Sequence, residues 1–290
     1  MEALATQLPP LLVAAERLAS IVGLGVHGRR KAGMGETFWQ FRRYGHEDAT
    51  NAIDWRQSAK SQHLFVRERE WEAAQAVWLW RDGSAGMDFA SGPTVETKRE
   101  RANLLALAVG TLLMRGGERV GYLGSPPPLG GRVGFSRLAH ALLEAAPQNG
   151  ALPPDAPVMR NSQVVWFGDF LSPLGEIETV IRRLTGAGLG GHLVRIADPA
   201  EEEFPYWGRT RFESPSGDDS EILGRAEGVR EPYRRRFQAQ AQATAALARR
   251  FGWSCLSHRT DQRPELALVA LYGNLGGHLM RNPRMGGGSR

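Results

Sequence analysis

The chain has 290 residues, 42% of them hydrophobic and 23% charged. That suits one large α/β domain with an accessory unit, or two small domains, and excludes wholesale disorder. The formal net charge is +5, and Lys31, Lys60 and Lys98 are the only lysines among 36 basic residues. The basic charge is therefore almost all arginine, through codon preference or as a phosphate-binding surface; we favour the first because acidic residues are interspersed, as in Arg67-Glu68-Arg69-Glu70.

Compact basic clusters occur only at Gly28-Arg29-Arg30-Lys31 and Arg234-Arg235-Arg236. The single cysteine, Cys255, precludes an intrachain disulfide and fits a reducing compartment; its apolar setting suggests a buried, inert thiol. The start of the chain lacks a basic leader and its longest uncharged apolar run, Leu104 to Met114, is too short to span a bilayer, so a cytoplasmic location is expected.

Residues 7–22 predict a short amphipathic helix opened by Pro9-Pro10. Residues 23–76 are rich in Gly, Arg and aromatics with short alternating stretches, and predict a small irregular β-containing module. From residue 77 the pattern becomes regular. Val77-Trp78-Leu79-Trp80 is a continuous apolar run, as in a parallel strand covered on both faces. Lys98–Arg115 is apolar almost all round and predicts a buried helix stopped by Gly116-Gly117.

Strands follow at 120–123, 163–167, 192–196 and 253–256, with helices at 135–146, 177–184 and 231–251. This alternation predicts a doubly wound, mostly parallel α/β sheet. The domains expected are an N-terminal helix and β-rich module at 1–76, the sheet domain at 77–258, and an extension with a disordered tail at 259–290. The tryptophans Trp39, Trp55, Trp71, Trp78, Trp80 and Trp166 read as core or interdomain residues, with Trp80 partly exposed.

In such sheets ligands sit at the carboxyl ends of strands. Two strands here end in aspartate, giving Asp82-Gly83-Ser84-Ala85-Gly86-Met87 and Gly168-Asp169-Phe170. Asp82, Ser84 and Asp169 offer hard oxygens suited to Mg²⁺ or Mn²⁺. The same residues are favoured at strand ends and helix starts by local hydrogen bonding alone, which is the preferred explanation on spacing.

The segments Gly25-Val26-His27-Gly28-Arg29-Arg30-Lys31-Ala32-Gly33-Met34-Gly35-Glu36, Phe38, Arg42-Arg43-Tyr44, Asp48 and Ile53-Asp54-Trp55-Arg56, joined to Asp82-Gly83-Ser84, resemble the bacterial domain-of-unknown-function family 58. The resemblance implies a von Willebrand factor A-like domain over residues 77 to about 258, and pairing with MoxR-type AAA ATPases. It also implies an Asp-x-Ser-x-Ser metal loop plus a threonine. Here Gly86 stands at the third position, the segment Gly130–Gly134 has no threonine, and the Gly-Asp-Asp-x-Arg motif reads Glu47-Asp48-Ala49-Thr50-Asn51. The metal site is therefore expected to be degenerate, with Asp82, Ser84 and Asp169 left and Mg possible only if that partial site is occupied.

The function expected is a non-enzymatic interaction module that binds a MoxR-type ATPase through Asp82, Ser84, Met87, Asp169, Arg42, Asp54 and Arg56. Asp54-Trp55-Arg56, with Asp48, Arg42 and Arg43, is read first as a buried ion-pair network and second as an interface. His27 reads as a hydrogen-bonded structural residue. A metal-dependent hydrolase is disfavoured, because nucleophile-elbow, His-Glu-x-x-His and P-loop motifs are missing and no histidine adjoins either aspartate loop. Arginine-mediated nucleic-acid binding is the remaining alternative.

Overall fold

The computed structural model describes residues 2–27, 38–45, 50, 53–69, 74–92, 96–144, 150–215, 217 and 219–279. The clusters at 28–31 and 47–49, Trp71 and the tail 286–290 lie outside them, as do the side chains of His27, Trp39 and Arg42. The chain divides into two compact units, residues 25–74 and residues 1–24 with 75–290.

In the smaller unit, β1 (Phe38–Arg43) pairs antiparallel with β2 (Phe65–Arg69), with a bulge between Phe38 and Gln40. A one-turn helix, α2 (Trp55–Ser58), precedes β2. Asp54 caps it: its Oδ1 accepts from the Gln57 N–H at 2.9 Å. Trp55 is 65% exposed and so is not a core residue; it sits on the first turn of a helix too short to bury it. Arg56 is also exposed, and among the described residues neither it nor Asp54 forms an ion pair. Asp54 thus serves as a helix cap, while Asp48 and the side chain of Arg42, the other members of the expected ion-pair network, lie outside the described residues.

The larger unit is built on β3 (Ala76–Arg81), β4 (Arg119–Tyr122), β5 (Gln163–Gly168), β6 (Gly190–Ala197) and β9 (Ser254–Arg259). They form one wholly parallel sheet in the order β4-β3-β5-β6-β9. Every residue of β3 and β5 is buried, so both faces of the sheet are covered. That is why these strands are continuous apolar runs. Trp80, expected in the core but partly exposed beside the loop, is fully buried; it meets Trp166 edge-on, ring centroids 5.7 Å apart.

Two helical groups cover the sheet. α3 (Lys98–Arg115) packs with α4 (Gly131–Glu144) and α8 (Pro264–Leu279); α5 (Leu174–Gly186) packs with α7 (Arg230–Arg250). α3 starts at a capping box, with the Thr97 hydroxyl accepting from the Glu100 N–H and the Glu100 carboxylate accepting from the Thr97 N–H. Residues Ala102–Leu113 are all buried, which explains a helix without a polar face.

The opening helix α1 (Glu2–His27) is longer than the predicted 7–22 and contains Pro9 and Pro10. Ala15, Leu18, Ala19 and Val22 form its buried stripe at helical spacing, and residues up to 24 belong to the sheet unit instead of the β module. The connection after β6 carries a short helix, α6 (Pro199–Glu203), and an antiparallel hairpin, β7 (Thr210–Glu213) with β8 (Ser220–Leu223). α8 occupies much of the segment that composition alone marked as an extension.

Candidate functional site

The strand order reverses between β3 and its neighbours: β3 connects to β4 on one side, and the chain returns to β5 on the other. This is the switch point at which doubly wound sheets bind ligands. Asp82 follows β3 and Asp169 follows β5, so the topology brings together the two aspartates singled out in the sequence.

Asp82 is 1% exposed. Its backbone N–H donates to the Phe167 carbonyl at 2.8 Å, which fastens it to the end of β5. Its Oδ1 accepts from the Ser84 N–H at 2.7 Å, a turn closed by the side chain. Burial, then the neighbouring Asp169 charge, pushes the Asp82 carboxyl up to about 6. Glycine at 168 eases the close approach of these strand ends, since a Cβ there would stand 3.2 Å from the Asp82 Cβ. Phe170 follows Asp169 with φ +55°, in the left-handed region that costs a bulky residue energy. Its ring packs on Trp166 at 4.9 Å, and the Leu171 N–H donates to Asp169 Oδ1 at 3.1 Å.

The group that organises the site is Lys98, the first residue of α3. It is fully buried, and its Nζ lies 3.1 Å from Asp169 Oδ2 and 2.5 Å from Glu201 Oε1. Burial opposes its charge, but Asp169 and Glu201 outweigh burial and raise its pKa above the ordinary lysine value. Glu201 comes from α6, just beyond β6. Its other oxygen accepts from the Asp198 N–H at 2.9 Å, half of a capping box. Burial pushes the Glu201 carboxyl up, against the pull of Lys98. Asp198 in turn accepts from the Ser91 N–H at 2.9 Å and so ties the loop after β3 to the end of β6. Arg99 holds the same loop from outside, donating to the Ser84 carbonyl at 3.1 Å and pairing with Asp88.

The expected site residues therefore separate. Asp82, Ser84 and Asp169 converge. Met87 is fully buried under the loop and is a core side chain, so it cannot serve as the partner contact expected of it. Asp82 and Asp169, at 1% and 8% exposure, support the loops from beneath and offer little surface to a partner. Arg42, Asp54 and Arg56 belong to the smaller unit. Lys98 and Glu201 did not stand out in the sequence. Cys255 is half-buried, and burial pushes its thiol up, as for an unreactive cysteine. A groove of about 800 Å³ beside β4, lined by Tyr122, Arg137, His140 and Glu144 among others, contains none of the converging groups.

The residues present do not fit the divalent cation that the resemblance implies. Such an ion on Asp169 Oδ2 would face the Lys98 ammonium already on that oxygen. Position 86 supplies no side-chain oxygen, and a Cβ added there would stand 3.1 Å from the same Asp169 Oδ2. Among the described residues no group of three or more His, Cys, Asp or Glu is placed to hold a metal.

A doubly wound parallel sheet with charged groups gathered at its switch point is the class that fold and site define. The chain belongs to the family described as "Protein of unknown function DUF58", whose model matches residues 40–245. It is 26% identical over 247 residues to an uncharacterized protein of Mycobacterium bovis, covering 79% of this chain and 76% of that one. An uncharacterized protein of Mycobacterium tuberculosis matches with the same identity and coverage.

Among solved structures it is similar to an aerotolerance-related membrane protein from Bacteroides fragilis at 14% identity and TM-score 0.44, covering 70% of this chain and 100% of that one. The conserved hypothetical protein BatB from Bacteroides thetaiotaomicron matches at 15% identity and TM-score 0.42, covering 71% and 100%. No helix among the described residues is long and apolar enough to cross a membrane.

Proposed function

We propose that the chain is a non-enzymatic interaction module whose von Willebrand factor A-like sheet domain engages a MoxR-type AAA ATPase at the carboxyl ends of its strands. One observation carries this reading. The buried acids at the switch point are spent on Lys98 and on loop N–H groups, while the connections around them expose apolar side chains. Leu171, in the loop after β5, is 47% exposed. In the connection after β6, Trp207 is 69% exposed and Ile222 54%. The Arg230 guanidinium lies 4.5 Å from the Trp207 ring centroid, which holds the ring in place without covering it. An exposed tryptophan held in place by an arginine is the kind of side chain enriched at protein-binding hot spots.

The support for a non-enzymatic role is the internal pairing of the acids, which leaves Asp82 and Asp169 poorly placed to activate water. The test is capture of a MoxR-type AAA ATPase by immobilised full chain, with and without nucleotide. Leu171→Glu and Trp207→Ala should each weaken capture by about tenfold or more with the thermal midpoint unchanged. Unaltered capture by both variants would remove this face from the interface. Robust hydrolase turnover, abolished by Asp169→Ala, would overturn the non-enzymatic reading. A second reading, nucleic-acid binding, has the exposure of Arg234, Arg235 and Arg236 on α7 in its favour. It predicts affinity that falls steeply with salt, and no gel shift at low salt would exclude it.

A further inference from the structure

We propose that Lys98 is the resident cation of the switch-point site, a covalently tethered ammonium in the place of a divalent metal ion, so that this domain works without metal.

Geometry carries the argument. Lysine is almost never fully buried unless paired, and here the buried ammonium meets one carboxylate from the end of β5, Asp169, and one from α6, Glu201. Those contacts are the ones a hard cation would make at this point. An ammonium has three donors that radiate from one atom, whereas Mg²⁺ demands about six oxygens in octahedral array. Here Nζ already sits on Asp169 Oδ2 and Glu201 Oε1, so the charge of both oxygens is balanced and a divalent ion would have to displace the ammonium to use them.

The loop after β3 shows the complementary change. Gly86 withholds the oxygen of the Asp-x-Ser-x-Ser pattern, and a side chain there would crowd the Asp169 oxygen that Lys98 holds. Loss of the hydroxyl position and gain of the ammonium thus concern one and the same atom, Asp169 Oδ2. Glu201 adds a charge that no strand-end pair of aspartates would supply, and places it within hydrogen-bond distance of Nζ.

Residue choice points the same way. In a chain that uses arginine almost throughout, a lysine stands at a position where a compact point charge fits between two carboxylates. A planar guanidinium fork would need a wider opening. A partner that recognised this face by donating a carboxylate to an open metal position would find none. Recognition at this face is therefore independent of divalent ions.

The inference stands on the geometry of the chain alone, so it survives failure of the ATPase reading. The experiment titrates Mn²⁺ into metal-free full chain, followed by calorimetry and by the paramagnetic resonance of free Mn²⁺. Wild type should show no saturable site tighter than about 1 mM. Its thermal midpoint should be the same in EDTA and in excess Mn²⁺. Lys98→Ala combined with Gly86→Ser should acquire saturable Mn²⁺ binding at least about tenfold tighter than wild type, and Mn²⁺ should raise its midpoint. Adding Asp82→Asn should abolish both gains. Saturable binding by wild type that Asp82→Asn removes would overturn the proposal. So would a folded double variant that gains no affinity. Should the double variant fail to fold in both EDTA and Mn²⁺, the wild-type titration decides alone.

Discussion

Two buried cations sit one turn apart on α3, and they are satisfied in opposite ways. Lys98 meets the carboxylates of Asp169 and Glu201. Arg101, 7% exposed, spreads its guanidinium over the turn that joins β9 to α8. It donates to the carbonyls of Thr260 at 2.8 Å and Gln262 at 2.6 Å, and to His258 Nε2 at 2.9 Å, while Glu96 reaches its Nε from a half-exposed position. Arginine carries only donors, so His258 must accept and is neutral there. The difference is one of chemistry. A fork with several divergent donors fastens scattered carbonyls; a point charge balances crowded carboxylates. The first cation is scaffolding. The second lies where a ligand would bind.

The sharpest way to break this pairing is Lys98→Met, which leaves two buried carboxylates without a cation. We expect a loss of about 3–5 kcal/mol in urea denaturation at pH 7. A loss below about 1 kcal/mol would mean that the ammonium does not balance the site. Arg101→Met should cost less, about 2–3 kcal/mol, because two of the abandoned partners, the Gln262 carbonyl and the Glu96 carboxylate, belong to exposed residues that water can reach. Its signature is local: faster amide exchange through residues 259–263, with the loops around Asp82 and Asp169 unchanged.

His258 gives a smaller, pH-dependent effect. Burial first, then the Arg101 charge, pushes it down to about 4. Between pH 6.5 and pH 4 the unfolded chain therefore binds the extra proton, and stability falls as pH falls. Relative to His258→Gln, wild type should lose about 1 kcal/mol more on going from pH 8 to pH 5.5. Because Asp82, raised to about 6, works in the opposite direction, the difference between the two proteins is the quantity to measure. The smallest effect is expected for Gly86→Ala. Its new methyl meets Asp169 Oδ2 at 3.1 Å and should cost under about 1 kcal/mol in the same denaturation assay.

Much of the fold was legible. The apolar runs at 77–80, 163–167 and 192–196 are strands because both faces of a parallel sheet are covered, and the all-apolar helix from Lys98 is buried as its composition demands. The β7–β8 hairpin was missed because Thr-Arg-Phe-Glu and Ser-Glu-Ile-Leu are short and largely exposed, with too little buried face to print a pattern. α8 was missed because Pro264–Leu279 is apolar without a pronounced polar side, which hides helical period. Met87, read as loop surface, is core because the turn after Ser84 winds into a single 3₁₀ turn that carries it inward.

At the site, the aspartates were legible because each ends an apolar strand. Lys98 and Glu201 were not, since they reach Asp169 and each other across 71 and 103 residues of chain, and strand order cannot be read from local pattern. Two signals were nevertheless present. Lysine is rare in this chain, and Asp198-Pro199-Ala200-Glu201 is the spacing of a capping box.

A cation supplied by a side chain has no dissociation constant. It arrives when the first turn of α3 docks, so neutralising the strand ends and closing the sheet become a single cooperative event. A diffusible ion would let those steps separate, and would let the cell's ion balance set how much of the protein is complete. With Lys98 as the resident cation every folded copy would be complete, the translational entropy of the charge having been surrendered in making the chain.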